Sequence, residues 1–96
     1  MKSNVTMKAI LEKLVDDFNN YSELVALNYA QREEGRCAEE MLQWNRGIMN
    51  CIEEYMTELA NVMGVKLEYE YGVHSFGFDD WKRSLEYRTA RIGKEW

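Results

Sequence analysis

Apolar residues return at steps of four, three and four in Met7, Leu11, Leu14 and Phe18, with Ile10 and Val15 beside them. That is the spacing of one face of an α-helix. The first segment therefore reads as a helix, with Ser3 or Asn4 able to accept its first free backbone N–H groups. The run Asn19, Asn20, Tyr21 and Ser22 interrupts the pattern with residues that favour caps and turns, which predicts a connection near 19–22. Helical spacing then resumes from Ser22 to Gly64. Its clearest stretch sets Cys37, Met41, Trp44, Ile48, Ile52, Tyr55 and Leu59 within about 80° of arc at 100° per residue.

Glycines decide how that stretch divides. Gly35 can end a helix, or be absorbed in one at a cost of about 1 kcal/mol, and the spacing admits both. Unbroken, the helix would span about forty residues and ~60 Å, too long to bury its stripe on the first helix alone without a second chain. Gly47 poses the same question more weakly, since the spacing continues across it. Gly64 closes the helix. After it, "VKLEYEY" at 65–71 switches to a period of two, with Val65, Leu67, Tyr69 and Tyr71 on one face and Lys66, Glu68 and Glu70 on the other. A strand leaves backbone groups unpaired, so it needs a partner, and residues 73–78 and 84–92 are the candidates. "SLEYRTARI" fits a strand with Leu85, Tyr87 and Thr89 on one face. Trp81, Leu85, Arg88 and Ile92 also fit a helix capped by Asp79, but Tyr87, Thr89 and Ile92 are better strand formers. The expected fold is α+β, mainly α. It has two or three helices over 3–64, as a helical hairpin or one very long helix, then a small C-terminal β-hairpin or paired strand over 65–96.

At 96 residues and 11.4 kDa the chain has room for a single domain, 1–96. A domain of that size buries only about 60–65% of its unfolded surface, so its core is thin. Hydrophobic residues at 46% and aromatics at 12% favour order despite 30% charged residues. No proline occurs, which suits long helices and leaves no proline-rich linker. Two cysteines are too few for a disulfide framework, and both fall in helical pattern among apolar neighbours. On one helix Cys37 and Cys51 would stand about 21 Å apart, against a bridging limit of roughly 7 Å. No stretch approaches the ~20 apolar residues of a membrane span, and a reducing cytoplasm is the expected setting.

Chemistry-bearing motifs are scarce. "YGVHSFGFDDW", residues 71–81, holds the only histidine, and His74 near Asp79 or Asp80 could form a base with an orienting carboxylate, or a metal site. A structural strap accounts for it better. Gly72 and Gly77 supply the freedom of a turn or bulge, Phe76 and Phe78 cover the core, and Asp79-Asp80 cap the next element or face water. Nucleophilic catalysis, zinc binding and phosphate cradling each lack the required residues at the required spacing. Glu68 and Glu70 share a strand face and are the remaining carboxylate pair. No catalytic residue, cofactor or metal is expected.

Charge says more. The net charge of −5 is unevenly spread: residues 12–70 hold thirteen acidic side chains against five basic ones, whereas Lys82, Arg83, Arg88, Arg91 and Lys94 face Glu86 alone over 82–94. On a helical wheel Glu39 and Glu53 lie opposite the apolar stripe, while Glu40, Glu54 and Glu58 line one flank. Such a ridge is either a solvated face or a surface for a basic partner, including the phosphate-binding groove of a nucleic-acid enzyme. In size and charge only, the chain is similar to small acidic inhibitors encoded by phages, some anti-CRISPR proteins among them. The basic tail can also fold onto the acidic helices of its own chain or of a twin. Nucleic-acid binding runs against the net charge. It would need Tyr69, Tyr71, Phe76, Phe78 and Trp81 as a stacking platform, with Lys82, Arg83, Arg88 and Arg91 neutralising phosphates.

The function expected is therefore binding without catalysis, as a small regulator or inhibitor. Glu39, Glu40, Glu53, Glu54, Glu58, Asp79 and Asp80 would meet the partner, and Met41, Trp44, Ile48 and Tyr55 would form a homodimer interface. The alternative is a nucleic-acid-binding regulator using the basic segment and the aromatic strand.

Overall fold

The computed structural model describes residues 2–78 and 81–95. Helix α1 spans Lys2–Glu33, α2 Glu39–Met63, and two strands complete the chain, β1 Val65–Phe78 and β2 Trp81–Glu95. The fold is thus two helices followed by an antiparallel β-hairpin, α+β and mainly helical, as the spacing predicts.

The expected break at 19–22 does not occur, and α1 begins at Lys2, ahead of both proposed caps. Leu11, Val15, Phe18, Ser22 and Val25 form one buried face, so the core stripe passes straight through the polar run. Asn19 turns its amide outward from the helix: Nδ2 donates to the Ala90 carbonyl at 2.9 Å, and Oδ1 accepts from the Ala90 N–H at 2.7 Å. A residue that elsewhere caps helices here clamps a strand.

Gly35 does break the long helix. It sits at φ 72°, where a Cβ would be strained; its N–H donates to the Arg32 carbonyl and that of Arg36 to Gln31. These two bonds are a Schellman termination, and a single helix of about forty residues is ruled out. Gly64, also at φ 72°, ends α2 in the same left-handed conformation. The strand predicted at 65–71 extends to Phe78 and pairs along its length, from Leu67 opposite Ile92 to Phe78 opposite Trp81, with one irregularity between Val65 and Leu67. Residues 84–92 are strand, and residues 73–78 belong to β1 itself.

The core lies between the helices and the near half of the hairpin: Leu11, Val15, Phe18, Met56, Ala60, Val65 and Ala90, with Leu14, Met49, Ile52, Leu59, Met63, Leu67 and Ile92 around it. On α2 this corrects the stripe expected from spacing. The buried face of α2 is Leu42, Met56 and Ala60, whereas Met41, Trp44 and Tyr55 are exposed, Cys51 is exposed, and Cys37 precedes the helix. Neither cysteine is a core residue, and both are free thiols. The molecule measures 52 × 24 × 17 Å, with a radius of gyration of 15.5 Å against the ~12.5 Å of a compact chain this long. It is a thin plank, and one face of α2 carries exposed apolar side chains.

Candidate functional site

The basic tail folds back onto the rest of the chain. On β2, Arg83 Nη1 donates to Glu33 of α1 at 2.6 Å and Arg88 Nη2 to Glu53 of α2 at 2.5 Å, while Arg91 Nη2 reaches Glu68 of β1 at 2.8 Å. The Arg88 guanidinium also lies 5.4 Å from the Phe18 ring centre and 5.0 Å from that of Tyr69. It is stacked, ion-paired and half-buried between both helices and the hairpin. Three of the four cations expected to meet phosphates are thus engaged on the chain's own carboxylates, and Lys82 stays exposed. Arg88 and Tyr87 adjoin on β2 and so point to opposite faces, yet Tyr87 lies close enough to Glu23 of α1 to feel its charge. The ribbon must twist along the helices, as two-stranded ribbons do.

Burial, and then the charge of Glu53, push the Tyr69 phenol above its ordinary value; burial and the neighbouring Glu23 do the same to Tyr87. His74 rests with Nδ1 3.5 Å from Glu23 Oε1 and its ring 5.2 Å from Phe76 and 6.3 Å from Tyr87. It belongs to an aromatic patch at the far half of the hairpin. Gly72 and Gly77 are strand positions opposite Tyr87 and Lys82, not turn residues, and Phe76 packs in that patch, not on the helical core. Asp79 and Asp80 lie outside the described residues. No cluster of three potential metal ligands occurs among the described residues. Glu68 is drawn to Arg91, away from any pairing with Glu70. A cleft of about 350 Å³ opens beside the hairpin, lined by Val25, Tyr29, Met49, Tyr71 and Leu85 among others. Of the charged groups on its wall, Glu33, Arg83 and Arg88 are already paired, and Glu86 is exposed.

The expected acidic ridge divides in two. Glu39 accepts from Arg32 Nη1 at 2.9 Å and from Gln43 Nε2 at 3.1 Å, and those bonds hold its carboxyl below the ordinary value. Glu53 is bound to Arg88. Glu40, Glu54 and Glu58 are exposed and, among the described residues, make no ion pair. On the helical wheel Glu40 and Glu58 coincide and Glu54 lies about 40° away, so the three form one edge of α2.

That edge borders an apolar strip. Met41 is 57% exposed, Trp44 73%, Tyr55 60% and Val62 74%, with Ile48 half-buried and Cys51 exposed between them. The spacing of the six is three, four, three, four and seven, a helical seam whose last step passes over Glu58. Cys51 and Val62 were not among the expected interface residues. Continuing the seven-residue repeat from Met41 through Ile48 and Tyr55 reaches Val62 and would have found it. Comparison with protein-family models, curated proteins and solved structures returned no match.

Proposed function

We propose that this protein is a non-enzymatic binding module, a small cytoplasmic regulator or inhibitor that docks the Glu40, Glu54, Glu58 edge of α2 on a basic protein surface. The carrying observation is the segregation of charge. Arg32, Arg83, Arg88 and Arg91 are paired with the chain's own carboxylates; of those that make no ion pair among the described residues, Glu40, Glu54 and Glu58 share one helix edge, while Glu12, Asp16, Glu70 and Glu86 stand singly or in pairs on other elements. A rigid helix presenting carboxylates at fixed spacing suits a groove built to hold phosphates, because orientation and charge are set before contact. The likeness in size and charge to acidic phage-encoded inhibitors, anti-CRISPR proteins included, points the same way and no further. Glu39 and Glu53, being engaged, support the edge from behind.

The test is inhibition of purified nucleic-acid enzymes with basic substrate grooves, assayed at low and high salt with the wild type and with Glu40, Glu54 and Glu58 all replaced by Lys. Inhibition that fades with salt and vanishes in the variant is the expected result. An inhibitor equally potent after charge reversal overturns the role of the edge. The nucleic-acid-binding alternative draws little support from the geometry, because its arginines already have partners. Retardation of a labelled oligonucleotide that is lost on Arg88→Ala and Arg91→Ala in a folded variant would restore it.

A further inference from the structure

We infer that the apolar seam of α2 is the interface of an antiparallel homodimer, in which α2 lies on its own copy about a two-fold axis between Ile48 and Cys51. The inference rests on the seam and not on the docking role of the carboxylates.

The seam is large enough for such an interface. Trp44 and Tyr55, 73% and 60% exposed, would together hide on the order of 250 Å² per protomer at the size of aromatic side chains. Met41, Ile48, Cys51 and Val62 roughly double that, which supplies most of the ~800 Å² each partner of a standard interface gives up. A chain with a thin core and an uncovered seam of about 30 Å gains more from that burial than from leaving two large aromatic rings in water.

Its register is self-complementary. Antiparallel pairing of heptads sets first positions against fourth positions of the facing helix. In this seam that rule puts Trp44 against the copy's Tyr55, Ile48 against its Cys51, and Met41 against its Glu58. The sequence is therefore complementary to its own reverse, ring to ring and small sulfur to branched chain. Antiparallel pairing also brings like edges together. With this register Glu54 falls opposite the copy's Gly47 and Glu40 opposite its Asn61, so carboxylates adjoin without meeting head-on. Glu40 and Glu54 of both copies then flank the pairing on one side, and Glu58 meets Met41 at each end of it.

Sedimentation equilibrium of the full chain over a wide concentration range is the first measurement, with dimer expected and association tightening as salt screens the adjoining carboxylates. Trp44→Glu and Tyr55→Glu should shift the chain to monomer by more than tenfold in dissociation constant; both side chains are exposed in the monomer, so circular dichroism should be unchanged. The native thiols then report the register. Cys51 lies within a few ångströms of the axis, whereas two Cys37 residues would be separated by roughly 35 Å. A short bis-maleimide should crosslink Cys37→Ser and spare Cys51→Ser. Crosslinking of Cys51→Ser through Cys37 would mean parallel pairing and overturn the register. A chain monomeric at every concentration overturns the dimer, and so does a seam that instead binds a Lys/Arg-rich amphipathic peptide, read from Trp44 fluorescence and weakening with salt.

Discussion

Tyr55 and Met56 are neighbours on α2, as are Glu53 and Glu54, yet in each pair one side chain is held inside and the other faces water. The inner side of the helix has Leu42, Met56 and Ala60 buried and Glu53 locked to Arg88. The outer side has Met41, Trp44 and Tyr55 exposed and Glu54 unpaired. Both sides use the same residue classes at helical spacing. What separates them is what lies across: α1 and a hairpin for one, water for the other. The inner chemistry is consumed by folding, and the outer chemistry remains exposed.

The largest effect expected comes from that contrast. Met56→Ala removes a side chain with no exposure from the middle of the core, which costs about 2–4 kcal/mol from lost transfer energy and the cavity left behind. Tyr55→Ala, one residue away, should move stability by no more than about 0.5 kcal/mol at dilutions where the chain is monomeric. Urea unfolding followed by circular dichroism measures both. Equal losses would mean the outer face is covered within the monomer, and the comparison would collapse.

Arg88 sharpens the contrast at the next scale. Its ion pair with Glu53 is about a third exposed on each side, 37% and 28%, so the 3–5 kcal/mol of breaking a fully buried pair must be discounted for solvent. With the stacking on Phe18 and Tyr69 included, Arg88→Ala should cost about 1–3 kcal/mol, and Arg88→Lys should recover less than half, lacking the planar fork. Arg83→Ala, whose partners stand mostly in water, should cost less than about 1 kcal/mol. If both alanine variants shift the urea midpoint equally, the hairpin is held by summed charge and not by one stacked arginine.

How much of this could be read from the chain depends on what each residue had to reveal. The helices and hairpin were legible because Leu11, Val15 and Phe18, and then Val65, Leu67 and Tyr69, repeat with the two periods that helices and strands impose. The false break at 19–22 came from reading Asn19 as a cap; its partner is the backbone of Ala90, seventy-one residues away, which no local rule can see. The face of α2 was misassigned for a different reason. Met41, Ile48, Tyr55 and Val62 form one seven-residue repeat, and Leu42, Met49, Met56 and Met63 form a second, one position on. Trp44 and Tyr55 made the first look more hydrophobic, but long flexible methionines fill an uneven gap beneath a hairpin more easily than rigid rings do. The charge asymmetry between helices and tail was visible; which carboxylates the arginines would choose was set by the path of the hairpin.

The smallest effect carries the sharpest sign. Glu53→Gln leaves Arg88 with a neutral acceptor in a half-buried place, and a loss of about 1 kcal/mol is expected. Glu54→Gln should do the reverse. Glu54 and Glu58 sit four apart on one helix edge, where like charges repel by about 0.2–0.5 kcal/mol, and among the described residues neither pairs with a cation. Removing one charge therefore stabilises the monomer slightly, and the gain disappears at high salt, where repulsion between exposed groups is screened. The Glu53→Gln loss falls less with the same salt, because a partly buried pair beside Phe18 and Tyr69 is screened less than exposed groups. Paired urea titrations at two ionic strengths read all four values. A Glu54→Gln variant less stable than the wild type would show that this carboxylate has a use inside the fold, and would remove it from the edge offered to a partner.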